Sequence, residues 1–239
     1  MAAREVGRLV GLWRYPVKSM AAEALERADV GWHGLAGDRR WAFVRDGMAQ
    51  SDFPWLTIRQ NAGMWRYRPR FAEPDRPDAS RTLVQTPAGD ELDVADPALA
   101  EELGHGARVI RQNRGVFDTA PLSLVSVQTV RALGAMVGAD LHPLRFRPNL
   151  LVDSASGEPF DEEAWLGAVL TVGRMRFRVD RRDERCVITN LDPATLAKNP
   201  AVLRTIARER QACLGVYGTT VQPGPVAVGD PVLIDGDST

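Results

Sequence analysis

Two kinds of residue in this sequence could do chemistry beyond packing: a cysteine set among arginines, and bases placed at turn ends. Cys186 closes the run Arg181-Arg182-Asp183-Glu184-Arg185-Cys186. Guanidinium charge beside a thiol favours the thiolate, which is both a nucleophile and a soft metal ligand. The plain alternative is a small buried hydrophobe at a strand edge, the usual habit of a free cysteine; Cys186 alone does not decide between them. Lys18 follows the break at Pro16, Arg39 follows the glycine-punctuated turn from Gly31 to Asp38, and Arg145 and Arg147 stand at an expected strand entrance. Each is a candidate phosphate ligand, because loop ends bring charged side chains and backbone N–H groups together. For any one of them the ordinary alternative is surface charge paired with an acid, so only convergence carries weight.

Other chemistries lose support. The histidines are His33, His105 and His142, none at metal-ligand spacing to another histidine or to Cys186, which argues against zinc hydrolysis. There is no Walker loop, no GxGxxG after a strand and no GxSxG elbow. With only Cys186 and Cys213, the chain has neither a disulfide framework nor the roughly four thiolates of an iron–sulfur cluster. Electrons for any redox reaction must therefore come from outside it. Cys213, between the last helix and a strand, reads as structural. The tryptophans read as packing rather than a base-stacking platform.

The elements that must position these residues are mostly short strands. Val6 to Tyr15 reads as a strand with a bulge or close backbone approach at Gly7 or Gly11. Leu25 to Val30 and Trp41 to Arg45 read as strands, Thr57 to Phe71 as irregular, and Ala72 to Ser80 as a surface loop. Thr82 to Thr86 and Glu91 to Val94 flank a hairpin turn, and a short helix after Pro97 stops at Gly104. Val127, Val130, Leu133 and Val137 predict a helix capped by Ser126 (or Ser123) and Gly138. Strands are expected over Arg145 to Val152, over Val169 to Val172 and Met175 to Val179 about the turn Gly173-Arg174, and over Arg185 to Thr189. An amphipathic helix from Pro200 to Glu209 and strands Leu214 to Val221 and Val226 to Ile234 close the chain. The sum is a β-rich α+β fold with a barrel-like sheet core rather than a doubly wound parallel sheet.

Composition allows a sizeable core. The chain has 239 residues, 44% hydrophobic and 26% charged, near the globular average. With 30 bases against 31 acids and a net charge of -1, there is no global attraction to nucleic acid or an anionic membrane, so neither is expected as a partner. No apolar run approaches the ~18 residues of a spanning helix, and the first residues lack a signal-peptide pattern. The expected location is cytoplasmic.

Six ordered landmarks carry a family resemblance. They are Tyr15-Pro16-Val17-Lys18-Ser19; Gly37-Asp38-Arg39-Arg40-Trp41; Phe146-Arg147-Pro148-Asn149; Arg185-Cys186 with Thr189 and Asp192-Pro193; Gly215-Val216-Tyr217; and Val228-Gly229-Asp230-Pro231-Val232. In these the chain resembles MOSC proteins with their N-terminal β-barrel region, over nearly its whole length. The resemblance implies a MOSC barrel core over 116–239, an N-terminal barrel-like region over 1–115 packed against it, and binding of the pyranopterin molybdenum cofactor. It implies that Cys186 ligates molybdenum at the reactive centre, that Lys18, Ser19, Arg39 and Arg147 hold the phosphate and pterin, and that Asn149 supports that loop. Thr119 and Tyr217 match further cofactor contacts. The chain departs from its relatives at Asp183, where another cysteine stands, at Ala120, which replaces a polar neighbour of Thr119, and at Leu214, where an aromatic precedes Gly215.

Two functions follow from that resemblance. One is an oxidoreductase reducing N-hydroxylated small molecules such as amidoximes and hydroxylamines, fed by an external flavin or iron–sulfur reductase. The other is a non-enzymatic carrier of the cofactor or of a persulfide on Cys186. A barrel interaction module without cofactor is the remaining alternative.

Overall fold

A computed structural model of the chain describes residues 3–48 and 50–235. These fall into two compact units, one built from the described parts of 1–13, 24–35 and 119–239, the other from 14–23 and 36–118.

The first unit is a closed seven-stranded barrel. Its strands are β1 (Arg4–Arg14), β2 (Leu122–Ser126), β3 (Leu150–Ser154), β4 (Val169–Val172), β5 (Met175–Glu184), β6 (Cys213–Gln222) and β7 (Pro231–Ile234). Around the ring they run β3-β2-β6-β5-β4-β7-β1, and β1 pairs back onto β3. Closure leaves these strands no open edge for other chains to pair with. All of these pairings are antiparallel except β2 with β3, which are parallel and joined through the helix Val127–Val137, the crossover that a parallel pair demands. The register shift between Leu9 and Gly11 is the bulge expected in the first strand.

Alternation decides what fills the barrel. In β5 Met175, Phe177 and Val179 are buried while Arg176, Arg178 and Asp180 point outward. They join Leu9, Leu12, Leu124, Leu150, Val152 and Val232 in one core. On the outer face Val125, Leu151 and Leu214 meet Val130 and Leu133 of the helix Val127–Val137 and Val202 and Ile206 of the helix Pro200–Arg210. Each such aliphatic side chain contributes roughly 1.5–3 kcal/mol by burial, which is why these two helices pack on this side.

The second unit has its own core of Val17, Met20, Phe43, Leu56, Met64, Val84, Val94, Leu99 and Leu103. Around it lie a three-stranded meander, Arg68–Phe71, Thr82–Gln85 and Glu91–Asp93, and the pair Trp41–Val44 with Arg108–Arg111. The helix Pro97–Leu103 is capped by Asp96 and stopped at Gly104.

Several expectations are corrected. Arg145 and Arg147 do not open a strand: Pro143–Phe146 is a 3-10 turn capped by His142, Arg147 is left-handed, and β3 begins at Leu150. Pro143 at the first turn position and Pro148 after Arg147 explain this, since neither suits a ladder. Arg185 to Thr189 is not a strand either. β5 ends at Glu184, and Val187–Asn190 is a 3-10 turn in which Thr189 donates from both N (3.1 Å) and Oγ1 (2.9 Å) to the Cys186 carbonyl. That threonine bond outweighs the strand preference of Val187 and Ile188. The second strand is Arg27–Gly31. The stretch expected to be irregular contains the 3-10 turn Ala62–Arg66 and the strand Arg68–Phe71, and Arg108–Arg111 and Leu122–Ser126 are strands that the pattern did not reveal. Leu122–Ser126 is buried at every position, so it carries no alternation. Among the described residues no helix is long and apolar enough to cross a membrane.

The start of the helix Val127–Val137 holds a buried carboxyl. Glu162, fully buried, accepts from the Ser126 N–H at 3.3 Å and from the Thr129 hydroxyl at 2.9 Å. Burial raises its pKa above the ordinary 4.5, against the lowering effect of those bonds. The folded state therefore holds this proton more tightly than the unfolded chain does. Stability from this group is fully present below the unfolded value of 4.5 and is lost as pH rises through the raised folded value. Glu162→Gln is expected to flatten that loss; urea midpoints followed from about pH 4.5 to 7 check it, and a variant slope as steep as the wild type's refutes it.

Candidate functional site

Three of the candidate residues belong to the second unit. The segment carrying Lys18 is pinned to the strand Trp41–Val44 by Lys18 N–H donating to the Trp41 carbonyl at 2.8 Å and Trp41 N–H to the Pro16 carbonyl at 3.2 Å. Lys18 leaves the strand after Pro16 as expected, but its side chain is only 7% exposed rather than presented to solvent. The Lys18 ammonium donates to the Val116 carbonyl at 3.1 Å and pairs with Asp118. Ser19 is buried with φ +70°. Arg39, φ +48°, stacks its guanidinium over Tyr15 at 4.6 Å and over Phe117 at 5.8 Å and pairs with Asp38. Asp38 is buried and also accepts the Tyr15 N–H at 2.7 Å. Gly37 turns the chain toward Arg39 at φ +81°, with the Phe71 ring so close that a Cβ would lie 2.7 Å from it. Burial pushes the Asp118 carboxyl up, yet the charges of Lys18, Arg59 and Arg39 more than offset this and hold its pKa below the ordinary value.

Five candidates belong to the barrel unit. Asn149 is buried and clamps two strands: its Oδ1 accepts the Ser123 N–H at 3.2 Å and its Nδ2 donates to the Trp13 carbonyl at 3.1 Å. The Ser123 hydroxyl donates to the Arg147 carbonyl at 3.4 Å, and Ser123 stands opposite Tyr217 in the β2–β6 ladder. Arg147, Asn149 and Tyr217 thus gather about Ser123. Thr119 is exposed and directly follows Asp118 in the chain.

Cys186 is half-buried and free, as is Cys213. The guanidinium next to it is committed elsewhere. Arg185 donates to the Leu214 carbonyl from Nε (2.8 Å) and Nη2 (2.6 Å), to the Phe146 carbonyl from Nη1 (2.8 Å), and pairs with Asp183 at 2.8 Å. Arg185 therefore ties the Cys186 turn to the Arg147 turn and to β6, and Asp183 is its counter-ion. Gly215 closes against this tie: at φ +74°, its Cβ would lie 2.6 Å from the Leu124 carbonyl and 3.4 Å from Arg185 Nη2.

Arg145 holds the other side of the Cys186 turn. It is buried, donating to the Thr189 carbonyl at 3.2 Å and to Asp192 at 2.9 Å. It was legible as a base but not as a strut, because its partners lie 44 and 47 residues away. Asp118 and Arg59 were missed for the same reason. Among the described residues no group of three or more His, Cys, Asp or Glu side chains could hold a metal ion.

Arg145→Ala, which removes a buried guanidinium from a part-exposed pair under this turn, is expected to cost about 2 kcal/mol and to speed reaction of Cys186 with a thiol reagent in a Cys213→Ser background. Stopped-flow labelling and urea unfolding read the two effects; an unchanged labelling rate removes the strut assignment.

Comparison with known proteins supplies the family. The MOSC domain matches residues 105–233 and the MOSC N-terminal beta barrel domain residues 6–112. The molybdenum cofactor sulfurase of Drosophila grimshawi is 28% identical over 95% of this chain but 34% of its own length, and that of Drosophila willistoni 28% identical over 89% of this chain and 31% of its own. The chain thus spans about a third of these relatives. The crystal structure of the YUAD protein from Bacillus subtilis shares the fold, with a TM-score of 0.53 at 13% identity over 98% of both chains. The landmark residues, the closed barrel and the two matched domains agree: this chain belongs to the MOSC domain family.

Proposed function

We propose that the protein binds the pyranopterin molybdenum cofactor and uses it to reduce N-hydroxylated small molecules, with electrons from an external flavin or iron–sulfur reductase. The observation that carries the reading is the division of donors. One thiol, Cys186, stands on a turn braced by Arg145 and Arg185, and in a separate set of bases the buried Lys18 and the half-buried Arg39 each face a carboxylate. A cofactor with a phosphate at one end and a soft metal at the other asks for those two sets.

The donor chemistry fits that group. Lys18, Ser19 and Arg39 would take the phosphate; Arg147, Asn149, Thr119 and Tyr217 would hold the pterin and its loop; Cys186 would ligate the metal. When bound, the group supplies two-electron redox chemistry and the metal's other ligands. The protein's own residues bind and orient. Arg39 is locked between Tyr15 and Phe117, so its fork loses little freedom on meeting a phosphate. Asn149 fixes the backbone on which Arg147 sits. Arg145 and the Thr189 hydroxyl hold the carbonyl side of the Cys186 turn, which leaves the thiol's orientation set by packing.

A second reading, delivery of the cofactor or a Cys186 persulfide to another enzyme, is favoured by the relatives named molybdenum cofactor sulfurase. One experiment separates the two. Protein from a cofactor-producing host is expected to carry molybdenum and pterin and to reduce hydroxylamine with methyl viologen. Cys186→Ala should lose at least about 99% of turnover, the scale on which removing a group at the reacting centre acts, and Lys18→Met should lose the pterin itself. Transfer to an apo-acceptor without reduction favours the carrier; protein free of molybdenum and pterin refutes the reductase and the cofactor carrier.

A further inference from the structure

Asp118 is placed unlike the other carboxylate of its cluster. Asp38 is wholly buried and committed, one oxygen to the Tyr15 N–H and the other to Arg39. The Asp118 side chain is 44% exposed, on the segment that follows Val116. Val116 is itself anchored, its N–H on the Arg39 carbonyl at 2.8 Å and its carbonyl accepting from Lys18 at 3.1 Å. Lys18 also lies over the Phe53 ring at 5.7 Å. Lys18 is therefore held in place by groups other than Asp118. The same ring carries a further cation: the exposed Arg59 sits over Phe53 at 5.4 Å, and its charge acts on Asp118 together with those of Lys18 and Arg39.

A buried ammonium needs a counter-charge. Whatever anion reaches Lys18 must therefore replace Asp118 rather than join it, since a second negative charge beside the carboxylate is repelled. We propose that Asp118 is a carboxylate stand-in for phosphate: it neutralises Lys18 until a phosphate ester displaces it, and Arg59 is a further ligand that receives the incoming phosphate. The inference rests on the reading of Lys18 and Arg39 as the phosphate end.

Inorganic phosphate is the probe, titrated by calorimetry into the full chain at fixed ionic strength, because exposed charges are screened by salt. Asp118→Asn, which keeps shape and removes charge, is expected to bind phosphate about tenfold tighter than wild type. Arg59→Gln is expected to bind it several-fold more weakly. Equal or weaker binding by Asp118→Asn overturns the stand-in, while loss of phosphate binding in Lys18→Met leaves the proposed phosphate end intact. If Lys18→Met binds phosphate like wild type, the phosphate end fails and the inference with it. The wild type provides a check that needs no substitution: saturating phosphate should speed amide hydrogen exchange at residues 117–119, and unchanged or slower exchange there overturns the proposal.

Discussion

The barrel unit's chemistry depends on one guanidinium. Arg185 spends its donors on the Leu214 and Phe146 carbonyls and its charge on Asp183, all within a side chain only 7% exposed. Those bonds join three separate pieces of chain: the end of β5, the turn before β3 and the start of β6. Cys186 is the next residue, so its position is set by Arg185 before any ligand arrives. The arginine of the Arg-Cys pair is thus a structural tie and not a charge aimed at the thiol, the role that sequence proximity invites. Lysine could not replace it, since one ammonium cannot span two carbonyls and a carboxylate in a fixed plane.

A second constraint is backbone strain placed where function is proposed. Ser19, Arg39 and Arg147 all have positive φ, at 70°, 48° and 51°. A side-chain-bearing residue in that region costs on the order of 1–2 kcal/mol. The surroundings that hold Arg39 there are explicit: its N–H donates to the Tyr15 carbonyl at 2.6 Å and its carbonyl accepts from Val116 at 2.8 Å. Arg147 is likewise tied through its N–H to the Leu144 carbonyl at 3.0 Å. Glycine would relieve the strain at each position but would remove the side chain. At Arg39 and Arg147 a turn and a base fall on one residue.

Sequence patterning reached most of the barrel because its physics is local. The alternation of Met175, Phe177 and Val179 with Arg176 and Arg178, the Ser126 cap and the Gly138 stop of the helix Val127–Val137 are all readable within a dozen residues. Leu122–Ser126 escaped notice because it is buried throughout and carries no alternation. The site was legible in its ends and not in its supports. Cys186, Lys18 and Arg39 stand out by type and by the turns beside them, whereas Asp118 is 100 residues from its partner Lys18 and Arg145 is 47 from Asp192. Nothing local distinguishes a strut from a solvated charge. The two mistaken strands have a nearer origin: Pro143, Pro148 and the His142 cap turn the chain at Arg145, and Thr189 bonds the Cys186 carbonyl only three residues back.

The asymmetry between the two donor sets has a physical reason. A thiol needs only a fixed position, because its bond to a metal is short and directional, and the barrel unit supplies that position with neutral carbonyls and a buried Arg–Asp pair. A phosphate needs charge, and charge kept indoors without its ligand must be neutralised meanwhile. In the second unit Lys18 and Arg39 are each neutralised by a carboxylate, Asp118 and Asp38. The two carboxylates cannot play the same part, since one is sealed under Tyr15 and the other reaches solvent. Asp38 therefore holds Arg39 from within the core, whereas the pairing of Lys18 with Asp118 is open to solvent on the carboxylate's side.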